Sequence, residues 1–85
     1  MPTAETMNLL ETHALLTHEK LTAMRQGAEA GLAAIFGADW ELIGTSGQRK
    51  NFGRLFKAAV LRREYVEIEW VRIENAGRHD VYRKL

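Results

Sequence analysis

Eighty-five residues supply one domain's core and no more, and the absence of cysteine excludes a disulfide framework and thiolate metal sites. Hydrophobic residues at 46% and charged residues at 27% describe a globular chain rather than a disordered one. Twelve basic against eleven acidic groups leave +1, but the charge is polarised: residues 1–44 hold two basic and six acidic groups, residues 45–85 ten and five.

No run approaches the ~20 apolar residues that a membrane span requires. Residues 1–8 lack the basic-then-apolar pattern of a signal peptide, so a cytoplasmic protein with no membrane partner is the expectation. In chain order, residues 4–16 read as a first helix, with Thr3 as N-cap, Glu5 in the first turn, and Met7, Leu10 and Ala14 at helical spacing. Thr17 interrupts it. Residues 18–36 read as a stronger helix, because Leu21, Met24, Ala28, Leu32 and Ile35 step by three or four. Gly27 and Gly31 share one face of it and suggest close approach by another helix, and Gly37 is the stop. Whether residues 4–36 form one helix or two is open in the sequence.

Asp39 is placed to cap a short helix over 40–43 ending at Gly44, with a short strand as the rival. Residues 44–47 form a turn, with Ser46 as the next cap. Residues 48–63 are the clearest helix: Phe52, Leu55, Phe56, Ala59 and Val60 fall within about 100° of arc. Lys50, Arg54 and Lys57 lie opposite, with Asn51 at the flank. Residues 65–74 read as a strand whose alternation changes phase near Trp70 and Val71, which a β-bulge or burial of both faces would explain. Residues 75–77 are a hairpin turn with Gly77 available for positive φ, and 78–84 the returning strand. The expected class is α+β: N-terminal helices, a short helix, a basic helix, then a two-stranded antiparallel hairpin. Residues 1–16 form a helical extension and 17–85 a single domain.

This order resembles a winged helix-turn-helix domain. The resemblance rests on the short element at 39–43, the turn at 44–47, the basic helix at 48–63, and a hairpin tip reading Glu74-Asn75-Ala76-Gly77-Arg78-His79. The stretch from Asp39 to Tyr82 is also similar to a family of short bacterial proteins of unknown function. In that family an Asp-Trp or Glu-Trp pair precedes a Gly-Arg-x-Phe helix, here Gly53-Arg54-Leu55-Phe56, and a final hairpin. The winged-helix resemblance implies DNA binding in many members and protein contacts in others.

Between Ser46 and Arg63 stand six basic groups and no acidic one. Lysine and arginine neutralise phosphates, and an exposed helix face can enter a major groove. The DNA-binding set is therefore Lys50, Asn51, Arg54 and Lys57, with Gln48 and Arg49 at the helix start and Arg78 and His79 on the wing. A solvated charged face and an acidic protein partner are the rival readings of the same pattern. Phe36, Trp40, Phe52, Phe56 and Trp70 read as core; Tyr65 and Tyr82, nearer strand surfaces, are better placed to stack on bases. Gly44 to Lys50 lacks phosphate-loop spacing, which argues against nucleotide binding. Gly53 is read as permitting close packing against the first helix. His13 and His18, five apart, do not form a metal pair, and His79-Asp80 has no nucleophile nearby in sequence. The expectation is a non-enzymatic regulator or accessory factor without cofactor or metal. A homodimer through residues 4–36 would bury the surplus apolar stripe.

Overall fold

The computed structural model describes residues 8–74 and 79–85. The elements run α1 (Leu9–Thr12), α2 (Ala14–Ala23), β1 (Glu29–Ala30), α3 (Leu32–Phe36), a 3₁₀ helix (Gly37–Ile43), α4 (Ser46–Leu61), β2 (Ile68–Glu74) and β3 (His79–Lys84). The architecture is α+β, as the sequence implies. The expected cap at Thr3, the helical reading of residues 4–7, the turn at 75–77 and the wing residue Arg78 lie outside the described residues.

The N-terminal helix begins at Asn8, whose side-chain oxygen accepts from the Glu11 N–H at 2.9 Å. The interruption falls at His13 rather than Thr17. Thr17 is fully buried inside α2, and its hydroxyl donates to the His13 carbonyl at 2.8 Å. Leu9, Leu10 and Leu16 pack against the core, so the apolar face of this segment finds its partner within the chain.

The single helix expected over residues 18–36 is not formed. α2 stops at Ala23, Gly27 takes φ +85°, and β1 pairs antiparallel with β3, Glu29 opposite Arg83 and Ala30 opposite Tyr82. Alanine and glutamate favour helix locally, but the β3 backbone overrides that preference. Gly27 N–H donates to the Lys84 carbonyl at 2.7 Å, and Lys84 N–H donates to Ala28 at 2.9 Å. Glu29 receives the Arg72 guanidinium at 2.7 Å and that of Arg83 at 3.4 Å. Lys84 Nζ donates to the Leu21 carbonyl at 2.5 Å, placing a positive charge on the C-terminal turn of α2. At Gly31 the close neighbour is strand β3 rather than a helix: a Cβ there would stand 2.7 Å from His79 Cδ2 and 3.2 Å from the Asp80 carbonyl.

The expected hairpin is thus the larger part of a three-stranded antiparallel sheet of order β1-β3-β2. Its register shifts between Trp70 and Arg72, a bulge rather than burial of both faces: Trp70 faces Tyr82, and Arg72 faces Val81. β2 begins at Ile68, three residues later than the alternation suggests.

Residues 40–43 are helical, as expected, within the longer 3₁₀ helix. The cap of α4 is Thr45, not Ser46. Thr45 Oγ1 accepts from the Gln48 N–H at 3.2 Å, while Gln48 Oε1 accepts from the Thr45 N–H at 2.7 Å, a complete capping box. Phe52, Phe56, Ala59 and Val60 of α4 are buried, and Leu55 is half-buried. They join Leu21, Phe36, Ile43, Ile68 and Tyr82 in the core, with Leu32, Ile35, Trp40 and Trp70 packed at its margin. Phe56 lies against Phe52, Tyr65 and Tyr82, with ring centroids 6.1, 5.1 and 5.0 Å away.

Candidate functional site

Burial of the Phe52–Val60 arc turns the remaining face of α4 outward. On it lies a groove of about 680 Å³ between α4, the first turn of α3 and the start of β3. Lys50, Gly53, Arg54 and Lys57 form one wall, Gly31 to Ala34 with Trp40 another, and His79, Asp80 and Tyr82 the third. Small residues keep it open. Gly53 faces Leu32 of α3, with 3.7 Å between that methyl and a Cβ placed on Gly53, so its close packing is against α3 rather than the first helix.

The eight residues read as a DNA-binding set differ in how far their side chains are already engaged. Lys50 is exposed and has no ionic partner among the described residues. Arg54 is exposed, and its guanidinium donates to neutral Asn51 Oδ1 at 2.5 Å, which orients it without cancelling its charge. Asn51 is half-buried and spends its acceptor on that bond. Gln48 closes the capping box. Arg49 is half-buried in the first turn of α4. Lys57 leans over the sheet: its ammonium is 3.1 Å from Asp80 Oδ1 and 4.9 Å from the Trp70 ring centroid. His79 is exposed at the start of β3, beside Gly31. Arg78 lies outside the described residues. The face is therefore carried by Lys50 and Arg54, flanked by His79.

The outer sheet arginines are compensated. Arg72 pairs with Glu29 and Glu74, and Arg83 with Glu29 and Glu69. Hydrogen bonding from Arg72, reinforced by the charges of Arg72 and Arg83, holds the Glu29 carboxyl below its ordinary range. This ladder offsets the charges of Arg72 and Arg83, and it joins β1 to the other two strands.

Tyr82, expected near a strand surface, is fully buried instead, because it faces α4 and packs on Phe56. It is not available for stacking on bases. Its hydroxyl has no hydrogen-bond partner among the described residues, and burial, with a smaller contribution from Asp80, pushes its ionisation well above the ordinary phenol range. Asp80 is the residue whose importance the sequence hid. It touches Lys57 and Trp70, 23 and 10 positions away, and no spacing rule links them. Among the described residues no three His, Asp or Glu side chains gather as a metal site, and no helix is long and apolar enough to cross a membrane. No family model, curated protein or solved structure matches the chain.

Proposed function

We propose that this chain is a winged-helix protein that binds duplex DNA without catalysing a reaction, as a regulator or accessory factor. The observation that carries the reading is the joint presence of a helix α4 with two outward cations, Lys50 and Arg54, that have no ionic partner among the described residues, and an adjacent antiparallel strand pair. The short 3₁₀ helix, the turn into α4 and the strand pair β2–β3 that follows it support the reading, whereas β1 is no part of the resemblance. In this reading α4 enters the major groove, Lys50 and Arg54 meet phosphates or base edges, and His79 with Arg78 approaches the flanking backbone. The neutralised outer sheet stays in solvent.

The test is fluorescence anisotropy with random-sequence duplex DNA across a salt series. The wild type should lose affinity steeply as salt rises. Lys50→Glu with Arg54→Glu, a swing of four charge units on a face away from the core, should abolish association with the circular dichroism spectrum unchanged. Wild-type affinity in that double variant would refute the assignment of α4.

A second reading takes the same face as a dock for an acidic protein segment. It is favoured by the apolar wall of Trp40, Leu32, Ala33 and Ala34 beside the two cations, which phosphate contact does not require. An acidic amphipathic peptide, rather than DNA, would then be the ligand lost in the double variant. A homodimer through the N-terminal helices remains part of the proposal. Because Leu9, Leu10 and Leu16 pack within the chain, it no longer rests on a surplus stripe but on Leu15, 84% accessible on α2. Light scattering showing only monomer at micromolar concentration would remove the dimer.

A further inference from the structure

Asp80 sits at the start of β3, opposite Ile73 of β2 and on the face of the sheet that carries Tyr82. One oxygen, Oδ1, makes two contacts. It accepts from the Trp70 indole Nε1–H at 2.9 Å and lies 3.1 Å from Lys57 Nζ. The ammonium also stands over the Trp70 ring, at 4.9 Å from its centroid. Carboxylate, indole and ammonium therefore form a closed triangle joining β3, β2 and α4. Trp70, two residues after buried Ile68 and opposite Tyr82, has its side chain on the α4 side by ordinary alternation, and the bulge follows it. Both charged side chains are about one third exposed, Lys57 at 31% and Asp80 at 30%. The pair is thus open to competition by another anion at the mouth of the groove.

Resting on the DNA-binding reading above, we propose that Asp80 is a positioning residue that withholds Lys57 from duplex DNA and so attenuates binding through the α4 face. Its carboxylate occupies the ammonium that lies one helical turn beyond Arg54. A phosphate seeking Lys57 must first displace an oxygen held in place by the Trp70 indole. Loss of the carboxylate charge releases one more cation to the duplex. The indole bond meanwhile ties the start of β3 to β2 and the ammonium ties it to α4, which together set the angle at which the strand pair meets the ligand. Asp80 touches no nucleic acid in this scheme; it acts through Lys57 and Trp70.

The test is a double-mutant cycle on the full chain, read as the slope of log affinity for random duplex DNA against log salt. Asp80→Asn keeps an acceptor for the indole and removes the charge. It should steepen the slope by ~0.9, the value of one added phosphate contact. Lys57→Ala should leave the slope unchanged in the wild type but remove that gain in the Asp80→Asn background. A loss of ~0.9 on Lys57→Ala in the wild type would overturn the proposal, because Lys57 would already contact phosphate. An Asp80→Asn slope equal to wild type would overturn it equally. A readout without DNA separates the latch from the ligand. In a ¹H–¹⁵N spectrum, Asp80→Ala should move the Trp70 indole resonance while Asp80→Asn and the Trp40 indole resonance stay near their wild-type positions. An unmoved Trp70 resonance refutes the latch itself. If the latch is present but neither wild type nor Asp80→Asn binds duplex at low salt, attenuation fails because the DNA reading has failed.

Discussion

Phe56→Ala is the perturbation that most directly tests how the fold turns α4. The ring is fully buried and has an aromatic neighbour on three sides, Phe52, Tyr65 and Tyr82. Those rings belong to α4, the α4–β2 connection and β3, so the walls cannot all close on the space left behind. The loss should therefore fall in the ~3–5 kcal/mol range of large aromatic truncations, which combines lost transfer energy with a retained cavity. At ~0.05–0.15 kcal/mol per residue, a chain of 85 residues has only ~4–13 kcal/mol in total. The variant thus gives up between a quarter and all of its stability. Thermal midpoints should fall by ~12–40 °C, at ~4–8 °C per kcal/mol for a domain of this size. Urea unfolding followed by far-ultraviolet circular dichroism, with Leu61→Ala as control, measures it. Leu61 is on the same helix but 60% exposed, so its truncation should change stability by no more than ~0.5 kcal/mol. A Phe56→Ala loss below ~1 kcal/mol, or one equal to the Leu61 control, would refute the burial of this arc. The outward placement of Lys50 and Arg54 would fall with it.

Gly44→Ala should cost at least ~1–2 kcal/mol, because φ +134° is closed to alanine without strain and the new Cβ would collide with the Gln48 side chain that closes the capping box. The same urea experiment checks it, and an unchanged midpoint would mean that the turn adopts another conformation. Tyr82→Phe should be neutral or stabilising by up to ~1 kcal/mol, since it removes a buried hydroxyl that has no partner among the described residues and keeps the ring on Phe56. The same phenol sets an alkaline limit. Its folded-state pKa is raised above the ordinary 10.0, so the unfolded chain releases that proton first and stability falls as pH rises through and beyond that value. Stability measured against pH in Tyr82→Phe should decline less steeply there; an identical decline would assign the loss to other groups.

Local pattern carried much of this protein. The 3.6-residue recurrence from Phe52 to Val60 located α4 and its inward arc, because a lone amphipathic helix must bury that stripe whatever it packs against. The phase change at Trp70 left a bulge or two buried faces open, and the register shift between Trp70 and Arg72 decides for the bulge. The outward position of Lys50 and Arg54 followed from the same helical arithmetic. What local pattern could not supply was everything settled by a distant partner. Residues 27–30 look helical in isolation but form a turn and the strand β1 (Glu29–Ala30), because the β3 backbone and two arginines, more than forty positions away, satisfy them. Thr45 displaced Ser46 as cap because Gln48 stands three residues after Thr45, while Asn8 served where the first described helix begins. Tyr82 went inward because its register opposite Trp70 puts it on the α4 side. Lys57, on the outward arc by angle alone, was drawn back onto Asp80 and Trp70. Periodicity tells which way a side chain points from its own element. Only the packing of α4 on the sheet decides which charges remain free once neighbouring elements present opposite ones.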